Sequence, residues 1–357
     1  MSVEDDAAVS RAQSAPARTV AILGGGSWGT ALAQTLSRQG LEVRLWVRTA
    51  ERAAEIERSR RNLRYLPDLE LDQGIAVSHD LDLVCAGAGV VLVAVPTNGL
   101  REIAARARPH LEPAAAVISA AKGFETAQML TMSEVLLETL GEGRRGQIMA
   151  LSGPNIALEV ARGQPAAAVV AGFDPIAAEA VRDLLNGSQF RVYSSPDLVG
   201  VEFGGALKNV VAIGAGVCDG LGVGDNAKAA IITRGLAEMA RLGVAAGARP
   251  LTFAGLTGLG DCMVTCMSPH SRNRQLGEAL AQGRSLDEVV ASTLMIAEGV
   301  NATRATLRLA ARHQVEMPIA AEIHAILFEA KPIAAAVSSL LSRGAVDELR
   351  GLGLSGL

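Results

Sequence analysis

The chain has 357 residues, and at about 150 residues per domain two domains are the starting expectation. Its 33 basic and 37 acidic residues give a net charge of −4, so no basic surplus is present to coat nucleic-acid phosphates. Apolar residues make up 49%, enough for a large core, but no run of about 18 uncharged apolar residues occurs, so a soluble chain without a membrane span is expected.

Residues 1–18 are polar, open with acids and lack the features of a secretory signal, so they read as a disordered tail of a cytoplasmic protein. From residue 19 to about 196, short apolar runs alternate with helical patterns. The runs are TVAIL (19–23), EVRLWV (42–47), GIAVS (74–78), VVLVAV (90–95), AAVISA (115–120), QIMALS (147–152), AAAVVAG (166–172) and FRVYS (190–194). Nearly continuous apolar strands joined by helical crossovers predict an α/β fold with a mainly parallel, doubly wound sheet of the Rossmann type. Beyond about Pro196 the strand signal stops, and helices are predicted over 197–219, 226–246, 272–282, 298–313, 318–328 and 332–342. The fold class is therefore an N-terminal Rossmann-type domain, 19–196, and an all-α-helical substrate and catalytic domain, 197–342, followed by a tail over 343–357. Asp225 and Asn226 are suited to cap a helix apolar enough to be largely buried. The working cleft is expected between the two domains.

The TVAIL strand runs into Gly24-Gly25-Gly26-Ser27-Trp28-Gly29, a G-x-G-x-x-G, and then into the helix-forming TALAQTLSRQG. Gly24 permits the tight turn, Gly26 lets the backbone approach a pyrophosphate, and Gly29 lets helix and strand touch. A diphosphate would then lie on a helix N-terminus with its partial positive charge. The residue after the second strand selects the cofactor, since a carboxylate grips the NAD ribose whereas an arginine accommodates the 2′-phosphate of NADP. Arg48 stands there, which favours NADP, alone or alongside NAD; the plainer reading is a solvated residue at a helix start.

Lys208 is the only cation in FGGALKNVVAIGAGVC, where burial would pull its pKa from about 10.4 toward neutrality and make it a proton carrier; the alternative is a lysine snorkelling to the surface. Lys122 follows a strand, at the carboxyl edge where open α/β sheets bind ligands, or is a solvated loop lysine. Asp261 lies in the glycine-rich TGLGDCMVTC. Ser271-Arg272-Asn273 opens a helix and outlines a phosphate pocket of guanidinium, amide, hydroxyl and helix dipole, although N-capping alone accounts for Ser271. Glu298 begins another helix. The histidines at 79, 110, 270, 313 and 324 form no ligand pairing, so no metal is expected, and no acyl-transfer signature is present. Cys85, Cys218, Cys262 and Cys266 read as reduced, mostly buried thiols.

Taken in order, GGGSWGTALA (24–33), VPTNGL (95–100), AAKGFE (120–125), SGPNIALEVARGQP (152–165), ALKNVVAIGAGVCDGLGVGDNAKAAIITRGLAEMARLG (206–243), TFAGLTGLGDCMVTC (252–266) and SRNRQLG (271–277) resemble the bacterial NAD(P)-dependent glycerol-3-phosphate dehydrogenases. The similarity spans roughly Thr19 to Ser342. The resemblance implies reversible hydride transfer between NAD(P)H and C2 of dihydroxyacetone phosphate, giving sn-glycerol 3-phosphate for phospholipid synthesis in the cytoplasm, with a homodimer plausible. It also implies that Lys208 is the proton donor and acceptor, that Asp261 orients it, and that Lys122 meets both substrate and cofactor. Substrate contacts fall on Gly153, Asn155, Asn209, Thr265, Ser271, Arg272 and Asn273. Cofactor contacts fall on Gly24, Gly26, Ser27, Trp28, Gly29, Arg48, Ala157, Arg272, Ile296 and Glu298. Two departures are visible: Asn155 stands where the family carries Ser or Thr after Gly-Pro, and Ala297 stands where a larger aliphatic residue is usual. The alternatives are a sister dehydrogenase with the same two-part plan and a dinucleotide sensor without chemistry.

Overall fold

A computed structural model describes residues 18–292 and 297–344. The strands of its main sheet are Thr19–Leu23 (β1), Glu42–Trp46 (β2), Ile75–Ser78 (β3), Val90–Val93 (β4), Ala116–Ser119 (β5), Ile148–Ser152 (β6), Ala166–Gly172 (β7) and Phe190–Ser195 (β8). Their order is β8-β7-β6-β5-β4-β1-β2-β3. Neighbours are parallel except β6 and β7, whose pairing is antiparallel. Every residue of β4, β5 and β6 is buried, which is why these strands read as apolar runs without alternation. Helices Ser27–Arg38 (α1), Ala50–Ser59 (α2), Leu81–Cys85 (α3), Thr97–Ala107 (α4), Met132–Leu140 (α5), Ala157–Ala161 (α6) and Pro175–Leu185 (α7) cover the sheet. Two short hairpins, 61–62 with 66–70 and 124–125 with 130–131, have no counterpart in the sequence reading, since their strands are too short or too polar to show a period.

After β8 the chain is helical: Leu198–Leu221 (α8), Asp225–Ala245 (α9), Asp261–Met267 (α10), Arg272–Ala281 (α11), Leu286–Ala291 (α12), Glu298–His313 (α13), Pro318–Phe328 (α14) and Ile333–Leu341 (α15). The axis of this half is α8, buried from Val201 through Cys218 and packed against α9, α10, α11, α13 and α14. It is long and apolar enough to cross a membrane, yet 94% of that window is buried inside the protein, as befits a core helix. Helix α11 approaches it closely, because a Cβ on Gly216 would lie 1.9 Å from Arg274 O and one on Gly277 would lie 2.0 Å from Ile213 O. Asp197 caps α8 by accepting Gly200 N–H at 2.9 Å.

Two expectations are corrected here. The α9 helix is capped by Gly224 without a side-chain bond, so Asp225 is its first helical residue and acts on the dipole, not as a cap. Nor is α9 largely buried: between Asp225 and Arg234 it is half-buried or exposed, and burial begins at Gly235. All four cysteines are free and buried, with Cys262 and Cys266 one helical turn apart. The tails lie outside the described residues apart from Arg18, Arg343 and Gly344.

Candidate active site

The carboxyl ends of β1, β4, β5 and β6 lie side by side, and the glycine turn follows the first of them. Gly24 has φ +125°, and a Cβ on Gly29 would lie 1.9 Å from Gly24 O, so only glycine closes this turn. Nothing lies within 4 Å of where a Cβ on Gly26 would project, and Gly26 adds no side-chain cap to α1. The N-cap residue of α1 therefore puts no side chain over the helix start, as an anion site requires. Trp28 packs edge-on against Phe190 at 6.5 Å, and its Nε1 is buried without a hydrogen-bond partner among the described residues. A dinucleotide fits this turn: open backbone at Gly26, an uncapped helix start, and an indole donor awaiting an acceptor. Arg48 lies exposed just past the end of β2, next to Thr49, which caps α2 by accepting Arg52 N–H. Ala157 opens α6 and is half-buried.

Facing the sheet edge, one carboxylate gathers two ammonium groups. A single π turn over Leu256–Gly260, closed by Gly260 N–H to Gly255 O at 3.1 Å, delivers Asp261 to the start of α10. The Asp261 side chain is 1% exposed. Its Oδ2 accepts Lys122 Nζ at 2.7 Å, and its Oδ1 accepts Lys208 Nζ. Lys208 also donates to Thr265 Oγ1 at 2.7 Å, which in turn donates to Asp261 O at 2.6 Å. Lys122 donates to Gly153 O at 2.8 Å, tying the loop after β5 to the end of β6. Lys208 is thus neither snorkelling nor unpaired, and Lys122 is not a solvated loop residue. Each ammonium has three N–H groups and spends two here, leaving one. Burial lowers the Lys122 pKa to about 8; Asp261 raises it, and the Lys208 charge lowers it further.

An amide relay fixes a further donor. Gly299 N–H at the start of α13 donates to Asn273 Oδ1 at 2.9 Å, and Asn273 Nδ2 donates to Asn209 Oδ1 at 2.9 Å. Because a backbone N–H can only donate, this chain forces Asn209 to present its nitrogen outward. That Nδ2 is buried with no partner among the described residues. Ser271 caps α11, its Oγ accepting Arg274 N–H at 3.3 Å, so the plainer reading of this serine holds and its own O–H is left to donate elsewhere. Arg272 is exposed at the first position of α11. Burial raises the Glu298 pKa, opposed by the charges of Arg272, Lys208 and Lys122. Asn155 turns away to the sheet and donates to Ala167 O at 2.6 Å. Ile296 lies outside the described residues.

The structure adds Ser152, which the sequence reading passed over. Its Oγ is buried without a partner among the described residues, and it packs on α8 close to where a Cβ on Gly205 would project, 2.6 Å away. A serine ending the otherwise apolar run QIMALS is the signal that would have found it.

A doubly wound sheet with a phosphate-binding glycine turn, faced by a buried lysine–aspartate–lysine cluster from a helical half, defines a nicotinamide-dinucleotide-dependent oxidoreductase acting on an oxygen-bearing carbon. Family models described as the N-terminus and the C-terminus of NAD-dependent glycerol-3-phosphate dehydrogenase match residues 19–178 and 197–338. The chain belongs to the NAD-dependent glycerol-3-phosphate dehydrogenase family. It is 48% identical over 336 residues to a glycerol-3-phosphate dehydrogenase (NAD(P)+) of Pelotomaculum thermopropionicum, covering 94% of this chain and 96% of that one. An enzyme of the same name from Bacillus velezensis is 45% identical, covering 94% and 97%. The crystal structure of glycerol-3-phosphate dehydrogenase from Coxiella burnetii superposes with a TM-score of 0.85 at 37% identity, covering 91% of this chain and 99% of that one.

Proposed function

We propose that the chain reduces dihydroxyacetone phosphate at C2 to sn-glycerol 3-phosphate, reversibly, with NADPH or NADH, supplying phospholipid synthesis in the cytoplasm. Residues 19–196 serve as the dinucleotide-binding domain and 197–342 as the substrate and catalytic domain. The observation that carries this reading is the pair of ammonium groups on one buried carboxylate, since Asp261 balances only one of them and the other is left to meet an anionic oxygen.

When bound, the nicotinamide supplies or accepts the hydride. The residues of the chain handle the rest. Charge developing on the C2 oxygen is met by the unspent N–H groups of Lys208 and Lys122, fixed before substrate arrives. Lys208 gives its proton to that oxygen in reduction and takes it back in oxidation, with Asp261 and Thr265 holding Nζ in place. Asn209 Nδ2 donates to a substrate oxygen, and Asn273 orients it. Arg272, the O–H of Ser271 and the N-terminus of α11 hold the phosphate. Gly153 offers backbone, and Asn155 steadies that loop through Ala167 rather than by direct contact. On the cofactor side, Gly24, Gly26, Ser27, Trp28 and Gly29 cradle the diphosphate, Arg48 reaches the 2′-phosphate, and Lys122, Ala157, Arg272 and Glu298 complete the cleft; Ile296, outside the described residues, is assigned to the cofactor by resemblance alone. Retention of this whole set argues against a sensor, which needs no proton carrier.

The test follows nicotinamide absorbance on mixing with dihydroxyacetone phosphate, run with NADPH and NADH. Turnover with a kcat/KM ratio favouring NADPH is expected, and absence of turnover with both cofactors overturns the reading. In the same assay Arg272→Ala raises the substrate KM by 10-fold or more, about 1.4 kcal/mol, and an unchanged KM removes the phosphate role.

A homodimer is supported by the half-exposed start of α9, where Ala227, Ala230 and Ile231 line an apolar cavity with residues of α8, α14 and α15. Light scattering in solution is expected to give twice the chain mass of 36.9 kDa, and a monomer at micromolar concentration refutes it.

A further inference from the structure

A second buried carboxylate belongs to neither the cofactor turn nor the lysine cluster. Glu202 lies on α8, six residues and about 9 Å of helix before Lys208. Its side chain leaves the helical half and reaches the start of α5, where Oε1 accepts Ser133 N–H at 2.8 Å and Oε2 accepts Ser133 Oγ at 2.5 Å. That helix already carries a full capping box of its own: Thr131 Oγ1 accepts Glu134 N–H, and Glu134 accepts Thr131 N–H at 2.7 Å. The box pairs the N–H groups of Thr131 and Glu134 and leaves the buried Ser133 N–H, which Glu202 takes from across the molecule. Beside them Phe203 meets Phe124 edge to face at 5.1 Å, giving the same contact an apolar flank. Burial raises the Glu202 pKa to about 7, countered by its bonds to Ser133 and Thr131, and the charged group facing it is Glu134. Between pH 4.5 and about 7 the folded chain holds a proton here that the unfolded chain has released, so stability falls as pH rises through that window. A carboxylate that lowers stability when it ionises, and that reaches from the helix of Lys208 to the start of α5, ties two parts of the molecule together and does more than end a helix.

The path of the chain indicates which. Lys122, Gly123, the hairpin strand Phe124–Glu125, its partner Leu130–Thr131 and Ser133 form one short segment, gripped by the helical half at both ends. At one end Lys122 meets Asp261, and at the other Ser133 meets Glu202, on the helix that presents Lys208. We propose that Glu202 is a positioning residue, clamping the Lys122 segment onto α8 so that Lys122 and Lys208 stand in fixed register on Asp261. This rests on the reading of Lys122 and Lys208 as the groups that meet the substrate.

Glu202→Ala releases the clamp, whereas Glu202→Gln keeps an acceptor for Ser133 N–H and re-forms the second bond in reverse, its amide N–H donating to Ser133 Oγ. In Glu202→Ala we expect kcat/KM for dihydroxyacetone phosphate to fall about 10- to 100-fold, with NADPH affinity within twofold of the parent. We also expect the alkaline limb of its pH profile to move upward as Lys122 gains water and recovers part of its ordinary pKa. Glu202→Gln is expected to restore kcat/KM to within threefold and to return the limb to its place. A Glu202→Ala enzyme that melts earlier but keeps kcat/KM and the limb of the parent overturns the inference, because a purely structural clasp predicts that result. If Glu202→Ala does not fold, Ser133→Ala, which removes one of the two bonds, must move the limb in the same direction by a smaller amount; an unmoved limb is equally fatal. A parent enzyme inert toward dihydroxyacetone phosphate overturns the underlying reading, whereas an active parent with an unaffected Glu202→Ala variant overturns this inference alone.

Discussion

Lys208→Ala is expected to lower kcat by about 10²- to 10⁴-fold, the span for loss of a positioned proton donor, while NADPH binding stays within twofold. The geometry separates the two effects. Lys208 sits on α8 in the helical half, 7% exposed, and its bonds run to Asp261 and Thr265, whereas the dinucleotide turn is built from β1 and α1. Removing the side chain leaves Lys122 on Asp261, so on the proposed mechanism positive charge persists near the substrate oxygen while the proton donor is lost. Stopped-flow measurement of hydride transfer, with cofactor affinity from fluorescence titration, checks both halves of the statement. A variant that turns over within threefold of the parent would remove Lys208 from the mechanism.

Asp261→Ala is the more damaging change to the protein as a whole. It leaves two buried ammonium groups without their common counter-ion, and breaking a buried pair from one side costs about 3–5 kcal/mol. Activity is expected to be lost along with stability, because the bonds that aim both lysines end on this carboxylate. The pH dependence identifies the cause. Lys122 already has a folded-state pKa of about 8, below its ordinary 10.5, so between these values the unfolded chain holds more protons and stability rises with pH. Removing Asp261 takes away the charge that raises this pKa, so the window opens downward toward neutrality. The gap in melting temperature between Asp261→Ala and the parent should therefore be wide at pH 7 and narrower at pH 9.5, as the lysine discharges. A gap that does not change with pH would attribute the loss to packing and not to charge.

Local chemistry alone determined much of this protein. The central strands β4, β5 and β6 stand where apolar runs without alternation place them, since a strand covered on both faces must be apolar throughout, and the edge strands β3 and β8 show the alternation of a half-covered strand. The glycine turn is decided by residues within a few positions of one another, because the Gly24 dihedral and the contact of Gly29 with Gly24 are local. Lys208 stands out as the only cation of an apolar helix, and Ser271 as a cap. The family, too, was legible in the order of the blocks from Gly24 to Gly277.

Only the tertiary structure decided what these groups do to one another. Lys122 and Asp261 are 139 residues apart and Lys208 and Asp261 are 53 apart, so their sharing of one carboxylate follows from strand order and from the π turn ahead of α10. Periodicity marks which face of a helix is apolar but not which partner covers it, which is why α9 reads as buried while its first ten residues are open or half-open. The antiparallel pairing of β6 with β7 is hidden for the same reason: both directions bury the same apolar strands. The outward turn of Asn209 Nδ2 is set by Gly299, 90 residues further along, and the grip of Glu202 on Ser133 is set by the docking of one half on the other. A sequence states the charge and shape of each group. The register between distant groups is fixed by backbone hydrogen bonds and close packing, and these exist only once the chain has folded.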